Sequence, residues 1–528
     1  MIYSLARAAL TVGIGWAIFR SLKRIFGKNP LDNLPGPPGG SFLAGHLDKV
    51  FDDYAWDYHK HISKTHGSVI KLRGAFGARA LFVYDPKALH HIIVKDQPIF
   101  EETVGFFIAT GMIFGKGLFA TTGDQHLPIF YDVTHKLRDT LMGKVSEGPQ
   151  EIDMLRWMSR TALELIGQSG LGYTFDPLTE GSEENSYTRG VRKFNSTFDR
   201  LNFAQQYILP LVHNIGTPRF RRWVVDAIPW EPLREMRDIS DIMRSTSEEV
   251  IGSKRRAMKQ GDETVARQVG GGKDIISILV KENMKASEGD KLTDDELFGQ
   301  VSSLTFAAMD TTSGALSRTL WLLSRNVGAQ NKLREEIREA HRRCGGDRLG
   351  YDEVVSLPFL DAVCRETLRL YAPVHTTARE TREDIILPFS KPVRGNDGSE
   401  MHEVLVPKGT MVFPSLLSSN CNRDLWGPDS YEWKPERWIE GLPNSVTEAK
   451  IPGVYSHLMT FIGGGRACIG FKFSQLEMKV VLCVLLDKFK FAPAKGKEVE
   501  WRMTGIVTPA VAADSGPPQL PLVVGLAD

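Results

Sequence analysis

Phe461-Ile462-Gly463-Gly464-Gly465-Arg466-Ala467-Cys468-Ile469-Gly470 stands directly ahead of an amphipathic run that reaches Lys488. Consecutive glycines at 463–465 open backbone conformations closed to other residues and let a flat ligand approach the main chain. A cysteine at the mouth of a helix has its thiolate favoured by the first-turn amides and the positive end of the helix dipole. Arg466 is placed to pair with an anionic group on the same ligand. The stretch therefore predicts thiolate ligation of a large, flat, anionic cofactor. Iron porphyrin fits, because cysteine thiolate is an axial donor to haem.

Around that stretch the composition is that of a folded protein with a sizeable core: 528 residues, 42% hydrophobic and 24% charged. The 65 Lys and Arg against 64 Asp and Glu leave a net charge of +1, so no global field draws nucleic acid, and a nucleic-acid partner is excluded from the reading. Five cysteines, few and odd in number, make no disulfide framework and suit a reducing compartment. Upstream, β-type runs at Ser68–Leu72 and Ala80–Val83 alternate with a helical one at Asp85–Lys95. The middle of the chain predicts helices over Glu151–Ser169, Asp238–Met258, Ile275–Lys285 and Asp294–Asn326. The last is long enough to run through the middle of the molecule, and Thr293 with Glu296 forms a capping box at its start. Glu403–Val406 and Thr410–Phe413 read as strands, and a final helix runs from near Gly470 to Lys488.

The N-terminal end reads as a membrane anchor. Ile2–Phe19 carries one charge in 18 residues, at Arg7, and is followed by Arg20, Lys23, Arg24 and Lys28. As a helix it rises about 27 Å, just short of a hydrocarbon core of roughly 30 Å. The basic cluster behind it favours a cytosolic body. RSLKR stands where a cleavage site would need small residues, which disfavours secretion. A mitochondrial membrane is the alternative, since no acidic residue precedes Asp32. Pro35-Gly36-Pro37-Pro38-Gly39-Gly40 forbids helix and predicts a stiff hinge. The expected organisation is an anchor with its basic flank at 1–30, a hinge at 31–40 and a haem domain at 41–528.

The loop at 461–470 resembles the haem-binding loop of the cytochrome P450 family, Phe-x-x-Gly-x-Arg-x-Cys-x-Gly, with matches at Phe461, Gly464, Arg466, Cys468 and Gly470. Three further elements follow the family's order. Glu366-Thr367-Leu368-Arg369 is similar to its Glu-x-x-Arg element, a spacing that puts both charges on one helix face. Pro435-Glu436-Arg437-Trp438 resembles its Pro-Glu-Arg-Phe element, with tryptophan replacing phenylalanine; the resemblance implies a structural network of Glu366, Arg369 and Arg437. Ala307-Ala308-Met309-Asp310-Thr311-Thr312 resembles its oxygen-activation element, with alanine at the usual glycine place. A threonine there can bond back to a carbonyl one turn earlier and open the helix.

The resemblance implies a mainly helical fold with a smaller β-rich lobe and haem b with Cys468 as axial thiolate. An endoplasmic reticulum membrane for the anchor is likewise implied by the family resemblance rather than by charge. Asp310 and Thr311 are implied as the proton-delivering catalytic pair, and Arg379 as a propionate-binding cation, a part Arg382 is also close enough to play. The implied activity is a monooxygenase that inserts one oxygen atom of dioxygen into a lipophilic small molecule. Electrons would come from NADPH-cytochrome P450 reductase, with cytochrome b5 as a further candidate donor. Phe106, Phe107, Leu201–Leu211, Leu304, Val374–Thr377 and Ile506–Val507 are the implied pocket lining, largely apolar without selecting one lipophile.

One segment departs from the family. After Gly115-Lys116-Gly117-Leu118 the family places a basic helix in which Trp or His is followed four residues later by a propionate-binding Arg. Here His126 is in place, Phe130 stands where the cation belongs, and Pro128 breaks the expected helix. The tract reads as shortened by roughly fifteen to twenty residues, judged from typical helix length, with the chain resuming at Tyr131–Asp139. Two alternatives therefore stand beside the monooxygenase. One is a reductase-independent haem-thiolate isomerase, dehydratase or peroxygenase, against which Asp310 and Thr311 argue. The other is a non-catalytic haem-binding form.

Overall fold

The computed structural model describes residues 27–114, 127–179, 181–182, 185–261, 264, 272–512 and 516–528. The expected anchor at 2–19, the Gly115–Leu118 stretch and His126 lie outside them. Among the described residues no helix is long and apolar enough to cross a membrane. The chain divides into two compact units, each built from segments distant in sequence.

The first unit takes the described residues up to Thr103, then His375–Ser430 and Pro443–Ala467. Strands β1 (Val69–Arg73), β2 (Arg79–Val83), β3 (Phe100–Glu101), β5 (Arg379–Thr381) and β8 (Met411–Pro414) form a sheet in the order β1-β2-β8-β5-β3. β4 (Gln150–Asp153), β9 (Phe489–Pro493), β10 (Val499–Arg502), β11 (Thr508–Val511) and β12 (Pro521–Leu526) belong to the second unit. β1 and β2 are antiparallel with Val69 opposite Val83, and β2 runs parallel to β8. A separate hairpin of β6 (Ile385–Arg394) and β7 (Glu400–Val406) shares a core with the sheet, in which Leu81, Val83, Leu387, Val406 and Val412 are buried. The proline-rich stretch is not helical, as fixed proline φ requires. Its start docks on β1, where the Lys71 amide donates to the Pro35 carbonyl at 2.8 Å.

The second unit, Val104–Val374, Tyr431–Leu442 and Cys468–Asp528, is mostly helical. We label its principal helices α1 (Leu127–Lys144), α2 (Met154–Ile166), α3 (Ser186–Arg200), α4 (Glu231–Gln260), α5 (Asp294–Arg325), α6 (Val327–Cys344), α7 (Pro358–Leu370) and α8 (Phe471–Lys488). In α5, Leu297, Val301, Thr305, Met309, Thr312, Leu316, Leu320 and Leu323 are buried at steps of three and four. One face thus stays covered along the whole helix, which packs on α2, α4, α7 and α8. The capping box forms as predicted: the Glu296 amide donates to Thr293 Oγ1 at 3.3 Å, and the Thr293 amide to Glu296 Oε2 at 2.8 Å.

Three sequence expectations are corrected here. Residues expected to begin a helix at Glu151 instead form β4 (Gln150–Asp153), paired with β12 (Pro521–Leu526); α2 starts one residue later, capped by the Asp153 side chain. The helix expected from Asp238 begins at Glu231, with Pro232 in the first turn, where a missing amide costs nothing. Pro128, expected to break a helix, lies within α1, whose described residues begin at Leu127. Phe130 is fully buried in α1 and meets Phe473 edge to face, ring centroids 4.9 Å apart. It is a core residue where the family pattern asks for a cation.

Candidate active site

In the first unit Gly463 and Gly464 are required because a Cβ would meet backbone, whereas at Gly465 it would meet only the end of a flexible side chain. A Cβ on Gly463 would lie 1.7 Å from the Pro452 carbonyl oxygen, on Gly464 2.2 Å from that of Ile93, and on Gly465 2.6 Å from Gln97 Oε1. Gly464 also takes a φ of +63°, in the left-handed region. Phe461 packs edge to face on Tyr455 at 5.5 Å. Arg466 is half exposed, and its Nη2 lies 3.6 Å from Glu102 Oε2. The buried Arg379 reaches the same carboxylate, Nη2 to Oε1 at 3.5 Å. Burial lowers the Arg379 pKa, Arg466 adds to this and Glu102 opposes it. Arg382 ties instead to Glu101 and Glu380, both at 3.4 Å, and donates to the Glu102 carbonyl at 2.7 Å. Of the two cations left open by the sequence, Arg379 therefore shares a carboxylate with Arg466. Glu102 escaped the sequence reading. It comes to Arg379 only because β3 pairs with β5, Glu101 opposite Glu380.

Cys468 and Gly470 belong to the second unit, with α8 starting at Phe471. The Cys468 residue is exposed to solvent. Protein atoms packed behind the sulfur push its thiol above the usual range, against a hydrogen bond from Gly470. The Gly470 amide thus favours the thiolate, as the sequence reading expected, but does not by itself make it. A bound metal cation would, since a coordinating thiol is deprotonated outright. Cys364, Cys421 and Cys483 are buried, and Cys344 donates to Glu353 Oε1 at 2.8 Å.

Glu366, Arg369 and Arg437 come together as expected. Arg369 donates to Glu366 through Nε at 2.8 Å and Nη2 at 2.9 Å, and Arg437 Nε does so at 3.0 Å. Two unforeseen donors complete the set: the Lys434 amide and Trp438 Nε1, each at 3.0 Å. Tryptophan in the phenylalanine place thus supplies a hydrogen bond that phenylalanine cannot. Burial pushes the Glu366 carboxyl up, but these donors and charges outweigh it and hold it below the usual carboxylate range.

Asp310 and Thr311 sit on α5 with separate engagements. Thr311 Oγ1 donates to the Ala307 carbonyl at 2.7 Å, the one-turn back-bond predicted for it. Asp310 is buried, and Asn195 Nδ2 on α3 donates to its Oδ2 at 2.5 Å. Burial pushes the Asp310 carboxyl up to about 7, against the pull of the Arg192 charge and the Asn195 hydrogen bond.

A family model described as Cytochrome P450 matches residues 125–515. Cytochrome P450 monooxygenase 91 of Postia placenta is 48% identical, over 98% of this chain and 98% of that protein. The chain belongs to the cytochrome P450 family. Ganoderic acid synthetase CYP5150L8 of Ganoderma lucidum is 40% identical over 97% of this P450 and 96% of its own length. A crystal structure of the cytochrome P450 CYP102L1 has the same fold, with a TM-score of 0.67 over 94% of this chain and 100% of that one at 20% identity. This P450 is accordingly an oxidoreductase of the monooxygenase class, mainly helical with smaller sheets. The family brings haem with cysteine thiolate ligation, a redox partner and lipophilic substrates.

The residues present fit that cofactor. Two guanidiniums converging on one carboxylate form a carboxylate-binding pair, which is what an anionic porphyrin offers them.

Proposed function

We propose that this P450 uses Cys468 as the axial thiolate of haem b and oxidises a lipophilic small molecule with electrons from NADPH-cytochrome P450 reductase, cytochrome b5 being a further candidate donor. The observation that carries the reading is the convergence of Arg466, two residues before Cys468 in sequence, with Arg379 on the Glu102 carboxylate. Thiolate-ligated haem, when bound, supplies dioxygen activation, with thiolate donation favouring O–O cleavage.

The chain's own residues do the rest. Arg379 and Arg466, and His126 by family position, orient the cofactor's carboxylates; Phe461, Gly464 and Gly470 shape the loop around the sulfur. Asp310 holds a proton on its carboxyl that is exchangeable near neutrality, and Thr311 Oγ1 keeps the helix carbonyl of Ala307 engaged. The Glu366, Arg369 and Arg437 network fixes the segment 432–438 to α7 and takes no part in chemistry.

Residues 41–528 act as a haem domain tethered by residues 1–30 to the endoplasmic reticulum membrane, body cytosolic; the expected hinge at 31–40 does not hang free, because Leu31 and Leu34 are buried in the core of the first unit. The apolar run Ile2–Phe19 with its basic flank supports the tether. Exposed apolar side chains at Leu211, Phe220 and Trp223 add to that support. Reconstitution with reductase, NADPH and a panel of lipophiles tests the reading, with precursors of ganoderic acid first because of the 40% relative's name. Oxygenated product that requires both reductase and NADPH is expected. Product formed without either would overturn it in favour of a reductase-independent enzyme.

A further inference from the structure

The acid of the proton-delivering pair is held by a different helix from its own. Asp310 and Asn195 are 115 residues apart in sequence, and both are buried. Asn195 lies on the face of α3 that also carries Arg192 and Asp199, at spacings of three and four. Each of the three makes a link. Arg192 Nη2 donates to the Pro518 carbonyl at 2.8 Å, Asn195 to Asp310, and Asp199 Oδ2 accepts from the Gly505 amide at 2.9 Å.

The loop of Gly505 closes the arrangement. A Cβ on Gly505 would stand 3.6 Å from Asn195 Oδ1, so the loop backs the amide from its other side. On α5, one turn beyond Asp310, a Cβ on Gly314 would stand 3.4 Å from the Val507 carbonyl oxygen. The loop at 505–507 therefore braces both helices beside the acid. Thr311 donates to Ala307 rather than to Asp310, and the hydrogen bond that reaches this carboxyl comes from α3.

We propose that Asn195 is the positioning residue of the Asp310 acid, holding its carboxyl toward α3 under the brace of the 505–507 loop. The inference rests on the reading that Asp310 handles a proton. An amide that donates to a carboxylate favours the anion, so its removal makes the carboxyl keep its proton to higher pH. Arg192 is the charged group acting on Asp310 among the described residues, and it stays in place in the variants below.

The test is infrared titration of the Asp310 carboxyl C=O band, assigned by its loss in Asp310→Asn, in wild type and Asn195→Leu. Loss of one charge-assisted hydrogen bond is expected to raise the midpoint by about one pH unit. In parallel, the fraction of NADPH electrons recovered in product is expected to fall at least about twofold, the size that misplacement of a proton donor readily gives. A midpoint unchanged in Asn195→Leu overturns the proposal. Should leucine prevent folding, Asn195→Asp replaces it: a second carboxyl on Asp310 raises the midpoint further, and an unmoved midpoint again overturns the idea. The infrared readout does not depend on haem ligation. Loss of the thiolate absorption band in wild type would therefore defeat the haem-thiolate reading while leaving this test in force.

Discussion

Glu366 and Asp310 are both buried carboxyls of the same unit, and they stand in opposite states. Glu366 accepts from four donor groups, two of them guanidiniums, and is held below the usual carboxylate range despite burial. Asp310 accepts from one amide, feels Arg192 at a distance, and is pushed up to about 7. Glu477 on α8 marks the limit: among the described residues neither of its buried oxygens has a partner, and burial lifts it well above the ordinary range. The number and charge of the donors, more than depth of burial, decide whether such a group is a fixed anion or a proton store. One region is thereby suited to holding the fold and the other to exchanging a proton.

The comparison breaks most visibly at Glu366. Glu366→Gln leaves Arg369 and Arg437 buried beside a neutral group and is expected to cost about 3–5 kcal/mol, read by denaturant unfolding. A cost under about 1 kcal/mol, the range of an exposed pair, would mean the network is incidental. Asp310→Asn should leave the fold intact and lower turnover on the order of a hundredfold, the lower end for a general acid. Equal turnover would remove Asp310 from the chemistry. Trp438→Phe keeps the ring bulk and loses one donor to a charged acceptor, with an expected loss of about 1.5 kcal/mol; no loss would show the indole N–H to be dispensable.

Acid and base sharpen the contrast with opposite signs. The Glu366 pKa is depressed on folding, so its contribution is present above the unfolded value and lost as pH falls through the folded one. The Asp310 pKa is raised from 3.8 to about 7, so the folded state binds the extra proton between these values. Stability from Asp310 is full below the lower value, declines as pH rises between the two and levels off above about 7. Stability curves of Asp310→Asn and wild type should diverge across that window and run parallel above it. Parallel curves throughout would contradict the raised value.

Local rules made much of this legible in the sequence. The capping box at Thr293 and Glu296, the ends of α8 and the hairpin strand ending at Val406 follow from spacing within a few residues. Glu366 and Arg369 share a face by helix periodicity alone. What escaped reading depends on pairs far apart in the chain. β4 needs β12, Glu102 needs the β3–β5 pairing, and Asn195 meets Asp310 across 115 residues. Arg192, Asn195 and Asp199 share one face of α3, a spacing visible in the sequence that pointed to no partner. Trp438 was legible only as a departure, because its value lies in a hydrogen bond that the family pattern does not contain.

The identity of the sulfur ligand is tested most directly by the absorption spectrum of reduced, carbon-monoxide-treated protein, recorded for wild type and for Cys468→Ser. Wild type should show the Soret band of thiolate-ligated haem, and the serine variant should lose both that band and substrate oxidation. A variant that keeps the band and still oxidises substrate would contradict the assignment of Cys468 and the site built around it.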